Sequence, residues 1–491
     1  MKPWLLACAL CPCLSAAPSY VPAASHQAML SLLDSVKRPG FIEVSEAGRS
    51  AGGRSIPLVR LHRSHQPRFK VLLYAQQHGD EVAGKEALLS VVKDIARHPE
   101  TLPQDVDLYL LPMMNPDGAV AYARRNGANA DLNRDHLTQA QPEIQALYAT
   151  VRRLQPHLAA DCHEFTRDGE DYPREGRDPK RRLWARWPLI TLDGCNHPLI
   201  PQRLKDVALR MVESARPVMA KAGIAYDRYL VGGPAPDEEV RPSTVEVDDG
   251  RNGLGSHGVL SFIIESGVRR SAPDPQADLP QRVTAYRTLL KHLLGTEASR
   301  NRLRTLVEEA RREPLPPFIA TNVFWGNVGG KVRTVKRVDL LSGEVQSVAT
   351  PNAMFDIVVK QSVPTPSAYA IEPRAAAQLK PLLEHHGLRF RELVQPETRM
   401  AEPCTLLRVE EPYDELYQRY EHRQIVRREK AMPLELPKGT LMVELNQPWA
   451  RRAMQFLEPC LLYGLYSYPE YRALADASGR LPVLRVLQRE P

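Results

Sequence analysis

His78 and Glu81 stand three residues apart in YAQQHGDEVAGKEALL (residues 74–89), directly after an apolar run and at the mouth of a helical pattern. An imidazole and a carboxylate at a loop-to-helix junction can face one point, as two ligands of a zinc ion do. The pair alone is common by chance, and a metal that activates water needs a third protein ligand while one position stays open. ADCHEF offers that ligand in His163, just past another apolar run, with Asp161 two residues before it. Asp161 is read as pointing away from the metal point and orienting a ligand from behind. Glu265 closes a further apolar run, FIIESG, where a carboxylate is otherwise an ordinary solvent-facing strand end.

These residues need a frame that brings distant segments to one edge. From Phe69 to Leu383, short β-rich runs alternate with long amphipathic stretches, the pattern of an α/β domain with a largely parallel sheet. FKVLLYA, VDLYLLPMM, HLAADCHEF and GVLSFIIESG read as strands. The helix after the first carries Leu88, Leu89, Val92 and Ile95 on one face. Pro116-Asp117-Gly118 reads as a turn, and Gly223 ends the long helix PQRLKDVALRMVESARPVMAKAG. His78, His163 and Glu265 fall just past or at strand ends, and open α/β sheets bind their ligands at the carboxyl edge.

PLPPF at 314–318 reads as a linker, which divides the chain into residues 18–313 and a smaller β-rich or α+β region, 318–491. In the latter, Ser342-Gly343 suits a hairpin turn, and Gly387 stops a helix whose last residues, His385 and His386, suit the helix dipole better than a metal. At 491 residues two domains are expected.

Composition excludes several classes. With 43% hydrophobic and 25% charged residues and no apolar run near the roughly 18 of a membrane span, the chain does not read as an integral membrane protein. The net charge of +7 is spread along the chain, not gathered with aromatics, so nucleic acid is not an expected partner. Lys2, the apolar stretch Trp4–Leu14 and the small residues Ser15, Ala16 and Ala17 have the layout of a signal peptide, 1–17, which implies a secreted or periplasmic protein. Beyond it stand Cys162, Cys195, Cys404 and Cys460, at spacings that fit no zinc ribbon or redox pair.

Taken in order, His-x-x-Glu, NPDG, DLNRD, Asp-x-His and a Glu at the end of an apolar strand resemble the zinc carboxypeptidase family typified by carboxypeptidase A, in a bacterial secreted multidomain form. The resemblance spans roughly residues 25–310, with EAGRSAGGRSIPLVRL at its start. It implies one Zn2+ ion held by His78, Glu81 and His163, and Glu265 as the base that activates water. It implies that Asn133 and Arg134 grip the free C-terminal carboxylate of a peptide, since a guanidinium offers two parallel donors and an amide a third. Arg124, or its neighbour Arg125, falls where the family places the arginine that stabilises the oxyanion.

This chain departs from the family in having no tyrosine in STVEVDDGRNGLGSHG, where typical members carry a mobile one over the specificity pocket. Tyr226 and Tyr229 lie further back and also suit core packing. Asp248, Asp249 and Arg251 are candidate pocket residues, the acidic pair for a basic side chain or amine on the substrate and Arg251 for a second carboxylate. The reading is an exported metallocarboxypeptidase, with cell-wall stem peptides as a substrate class if export is to a bacterial periplasm. Two others share parts of the pattern: a zinc amidohydrolase like succinylglutamate desuccinylase and aspartoacylase, acting on small N-acyl amino acids, and an inactive peptide-binding protein on the same scaffold.

Overall fold

The structure, a computed structural model, describes residues 25–169, 183–414 and 419–487. The expected signal peptide lies outside them. The first part of the chain runs α1 (His26–Ser35), β1 (Ile42–Arg49), β2 (Ser55–His62), β3 (Phe69–Ala75), α2 (Ala83–Arg97), β4 (Val106–Leu111), α3 (Pro116–Ala121), α4 (Pro142–Leu154), β5 (Leu158–Thr166) and β6 (Trp184–Arg186). It continues through β7 (Ile190–Gly194), α5 (Gln202–Lys221), β8 (Tyr226–Arg228), β9 (Leu230–Gly232), β10 (Val240–Pro242), α6 (Gly250–Gly255), β11 (Leu260–Val268), α7 (Leu279–Leu294) and α8 (Glu297–Arg312).

Eight of these strands form one mixed sheet in the order β1-β2-β4-β3-β5-β11-β7-β8. Its centre, β4-β3-β5-β11, is parallel, and β1, β2 and the β11–β7 pairing are antiparallel. The central strands are apolar on both faces because both faces are covered. Side chains alternate along β3: Val71 and Leu73 pack with α2, α5, α7 and α8, while Leu72 and Tyr74 pack with α4 and α6. Leu88, Leu89, Val92 and Ile95 of α2 are all buried, as their helical spacing requires.

NPDG differs from expectation. Pro116 starts α3, and Asn115 caps it by accepting the Gly118 N–H at 2.8 Å. Proline is favoured at the first helical position, so Asn-Pro-Asp-Gly suits a helix start as well as a turn.

The remaining chain is mostly antiparallel β-structure. β12 (Phe318–Gly326) pairs with β15 (Asp356–Pro364), and β13 (Arg333–Asp339) and β14 (Val345–Thr350) form the hairpin turning at Gly343. β13 also pairs with β6, so a strand of the first part joins a sheet of the second. A six-stranded antiparallel sheet follows, with α9 (Pro373–His385) and α10 (Ala450–Leu457) packed into its core. That core takes in Leu137, Leu199 and Val247 from the first part.

His386 is not an exposed dipole partner. It is fully buried, donates from Nε2 to the Leu137 carbonyl at 2.9 Å and accepts at Nδ1 from Gln139 at 2.8 Å. Burial and the nearby Arg452 hold its pKa well below the usual range, so it works as a neutral connector. Cys162, Cys195, Cys404 and Cys460 are free thiols. No helix among the described residues is long and apolar enough to cross a membrane.

Candidate metal centre

β3 ends at Ala75, Gln76 turns the chain in the left-handed region at φ 58°, and the loop that follows carries His78 and Glu81 into α2. β5 runs parallel beside β3 and brings His163 to the same edge. Glu81 Oε1 lies 2.7 Å from His78 Nδ1, Glu81 Oε2 lies 2.8 Å from His163 Nδ1, and the two Nδ1 atoms are 3.2 Å apart. The three residues are buried, and their donor atoms lie within 4.8 Å of one another. Two imidazole nitrogens and one carboxylate, with no fourth protein ligand among the described residues, fit a zinc ion that keeps a position open.

Each imidazole is held from behind at Nε2 by a carboxylate. Asp161 Oδ2 lies 2.9 Å from His163 Nε2, and Asp131 Oδ1 lies 3.2 Å from His78 Nε2. This fixes the ring orientation and leaves Nδ1 to face the metal point. The backbone N–H of Glu164 steadies Glu81 Oε2 at 3.0 Å. Burial penalises both charged forms, yet the mutual attraction wins: Glu81 is held well below the usual carboxylate range by His78 and His163. His163 is held well above the usual imidazole range by Asp161 and Glu81.

NPDG ties the loops together. Asn115 Nδ2 donates to the carbonyls of Gln77 at 3.0 Å and Arg124 at 3.2 Å. Gly79 packs so closely that a Cβ there would lie 2.0 Å from the Gly118 carbonyl carbon. The Arg124 side chain therefore reaches the ligands: it pairs with Asp131 at 2.9 Å, and its Nη1 lies 3.1 Å from His78 Nδ1. Arg125 turns away, donating to the Asn129 carbonyl at 3.0 Å.

Glu265 sits on β11 in register with His163 on β5. Burial raises its pKa to about 7, Glu81 adds to the rise, and His163, His78 and a hydrogen bond from Tyr229 oppose it. Asn133 is buried beside the site, accepting the Gly250 N–H at 2.9 Å, with Nδ2 3.4 Å from His163 Nε2. Arg134 remains partly exposed, its Nε 3.7 Å from Asp248 Oδ2.

Arg251, expected in the substrate pocket, does not line it. It is fully buried, pairs with Asp193 at 2.9 Å and Asp249 at 3.2 Å, and offers no surface to a ligand; it holds the loop together. Asp249 is likewise buried and caps α6 through the Asn252 N–H at 2.7 Å. Tyr226 is core, donating to the Val212 carbonyl at 2.7 Å, whereas Tyr229 bonds to Glu265.

Three contributors escape a reading of the sequence. Asp131 opens DLNRD but orients His78. Gln77 donates to Asp161 Oδ2 at 2.6 Å and contacts His136 Nε2 at 2.9 Å. Glu164 caps α2 through the Ala83 N–H at 2.6 Å and pairs with the buried Arg282 at 3.0 Å. The signal for all three was adjacency to a residue already singled out.

Residues 29–149 match the family model described as zinc carboxypeptidase. Carboxypeptidase 2 of Trichophyton tonsurans is 22% identical over 467 residues, covering 89% of this chain and 81% of that protein. Carboxypeptidase SOL1 of Arabidopsis thaliana is 30% identical over 139 residues, 25% of this chain and 28% of that protein. Among solved structures, a metallo-carboxypeptidase from Burkholderia cenocepacia aligns with a TM-score of 0.42 at 19% identity, over 55% of this chain and 68% of that one.

Proposed function

We propose that the chain is a metallocarboxypeptidase of the zinc carboxypeptidase family, a bacterial exported enzyme that removes one residue at a time from the C-terminus of peptides. Cell-wall stem peptides are the substrate class that a periplasmic location would offer. The observation that carries the reading is the buried His78, Glu81 and His163 cluster with Glu265 in register beside His163. Export rests on the layout of residues 1–17.

Zinc held by the three ligands would supply Lewis-acid polarisation of the scissile carbonyl and acidify a water. Glu265 takes the proton from the attacking water at its carboxylate and hands it to the leaving amine nitrogen. Glu265 is buried beside the ligands, and a positioned carboxylate that accepts a proton in one half releases it in the other. Arg124 sets a guanidinium where the carbonyl oxygen gathers negative charge. Asn133 and Arg134 receive the free terminal carboxylate.

The test is incubation of the purified protein, with and without a zinc chelator, with free peptides, cell-wall peptides and N-acyl amino acids, the products read by mass spectrometry. Chelator-sensitive loss of single C-terminal residues is the expected result. Cleavage of acylated amino acids alone would overturn it in favour of a deacylase, and peptide binding without cleavage in favour of a binding protein.

A further inference from the structure

Beside Glu265 lies a cavity of about 500 Å³, counted out to its open mouth, that the carboxypeptidase reading does not use. Its wall toward the metal point is Phe165, two residues past His163, and Tyr229, the residue bonded to Glu265. Their rings lie 6.4 Å apart. Arg186 on β6 and Lys336 and Arg337 on β13 also line it, so the C-terminal region helps to close a space that shares Tyr229 with the Glu265 carboxylate. The β6–β13 ladder fixes this arrangement, with Arg186 directly across from Arg337.

The charge of this lining is unbalanced. Asp227 is taken by Arg216 at 2.7 Å, and Arg228 by Asp193 at 2.9 Å. Arg337 donates to Thr350 Oγ1 at 2.7 Å. Arg186 lies over the Phe165 ring, 5.6 Å from its centre, and donates to the Gly232 carbonyl. Lys336 lies over the Trp187 ring, 4.5 Å from its centre. Neither cation forms an ion pair among the described residues; the carboxylates within electrostatic reach of Arg186 are Glu265 and Glu238. A guanidinium stacked on an aromatic ring keeps its edge donors free for an anion.

The cavity is distinct from the residues that take the terminal carboxylate, since Asn133, Arg134 and Asp248 do not line it. A peptide anchored there by its last residue and cut beside Glu265 must run its preceding residues away from that anchor. We propose that this cavity is a subsite for a carboxylate-bearing side chain on the part of the peptide that precedes the scissile bond, held by Arg186 and Lys336. The inference rests on the carboxypeptidase reading, and it gives the C-terminal region a part in substrate selection.

The test uses synthetic peptides with one common C-terminal residue and either Glu or Gln at each of the two positions before it. With the full-length protein, the Glu member of a pair is expected to exceed the Gln member by about tenfold in kcat/KM, the scale of one charge-assisted contact. Lys336→Glu, at an exposed position, should abolish or invert that ratio, and Arg186→Gln should lower it. Lys438→Glu, an equal charge change on a distant exposed residue, should leave it intact. A ratio near one at both positions in the unaltered protein, or a ratio that survives both Lys336→Glu and Arg186→Gln, would overturn the subsite. Turnover of the Gln peptides tests the carboxypeptidase reading separately. If no peptide is cut, equilibrium binding of the same pairs decides the subsite by the same ratio.

Discussion

At the residue scale, what distinguishes this site is that both imidazoles turn Nδ1 inward and yield Nε2 to a carboxylate, Asp161 fully buried and Asp131 partly so. Such outer contacts set the orientation of a metal ligand, and losing one typically costs about 10–100-fold in affinity. Asp131→Asn keeps the shape and removes the charge, so zinc affinity measured by chelator competition should fall by about that factor; unchanged affinity would dismiss the orienting role. Glu265→Gln should retain the metal yet lose about two to four orders of magnitude in kcat. Two pH dependences follow, with activity and zinc affinity both weakening as pH falls. On the proposed mechanism Glu265 acts as a base in its ionised form, so kcat/KM should fall as pH drops. Burial holds the Glu265 carboxyl at about 7 in the metal-free protein, and a bound dication places the limb lower. The limb should vanish in Glu265→Gln. His163, with its pKa raised, holds a proton that the ion must displace, so zinc affinity should weaken by up to about tenfold per unit of falling pH. A flat affinity profile between neutrality and mild acid would contradict this.

At the scale of elements, the site depends on three loops being locked in register by Asn115 and Gly79. No side chain fits at Gly79, where a Cβ would meet the Gly118 backbone at 2.0 Å. Gly79→Ala must therefore push the His78 loop off α3. Metal affinity should drop by at least as much as in Asp131→Asn, while the melting temperature of the metal-free protein moves far less than the affinity. Full zinc binding by Gly79→Ala would show that the loop tolerates the shift. These elements also show what a sequence discloses. FKVLLYA, HLAADCHEF and SFIIESG are legible because strands buried on both faces must be apolar throughout, and α2 because its apolar face repeats at helical spacing. β6, β8, β9 and β10 are three residues each, too short for any period to register. Arg251 misleads because an arginine in a polar loop reads as exposed, and only the fold shows Asp193, from a strand 58 residues away, neutralising it.

For the whole molecule, the two parts of the chain are not separable. Leu137, Leu199 and Val247 belong to a core built mainly from residues 319–483, and each is at least nine-tenths buried. Arg452 reaches from α10 to the carbonyl of His136. The His136 ring contacts Gln77, Gln77 donates to Asp161, and Asp161 holds His163, so one chain of bonds runs from the C-terminal region to a metal ligand. A chain ending at Glu313 would expose those three apolar side chains, on the order of 2 kcal/mol each. It would also strip the buried His136 carbonyl of its donor, about 1–3 kcal/mol more. Against a usual total of about 5–15 kcal/mol, that loss takes most of the stability. The truncated protein should therefore aggregate or melt far below the intact one, which should unfold in a single transition in calorimetry. If it stays soluble, its zinc affinity should still fall, because nothing then holds the outer end of the bond chain to His163. A soluble truncated protein with the intact protein's melting temperature and zinc affinity would mean that the C-terminal region is an independent appendage.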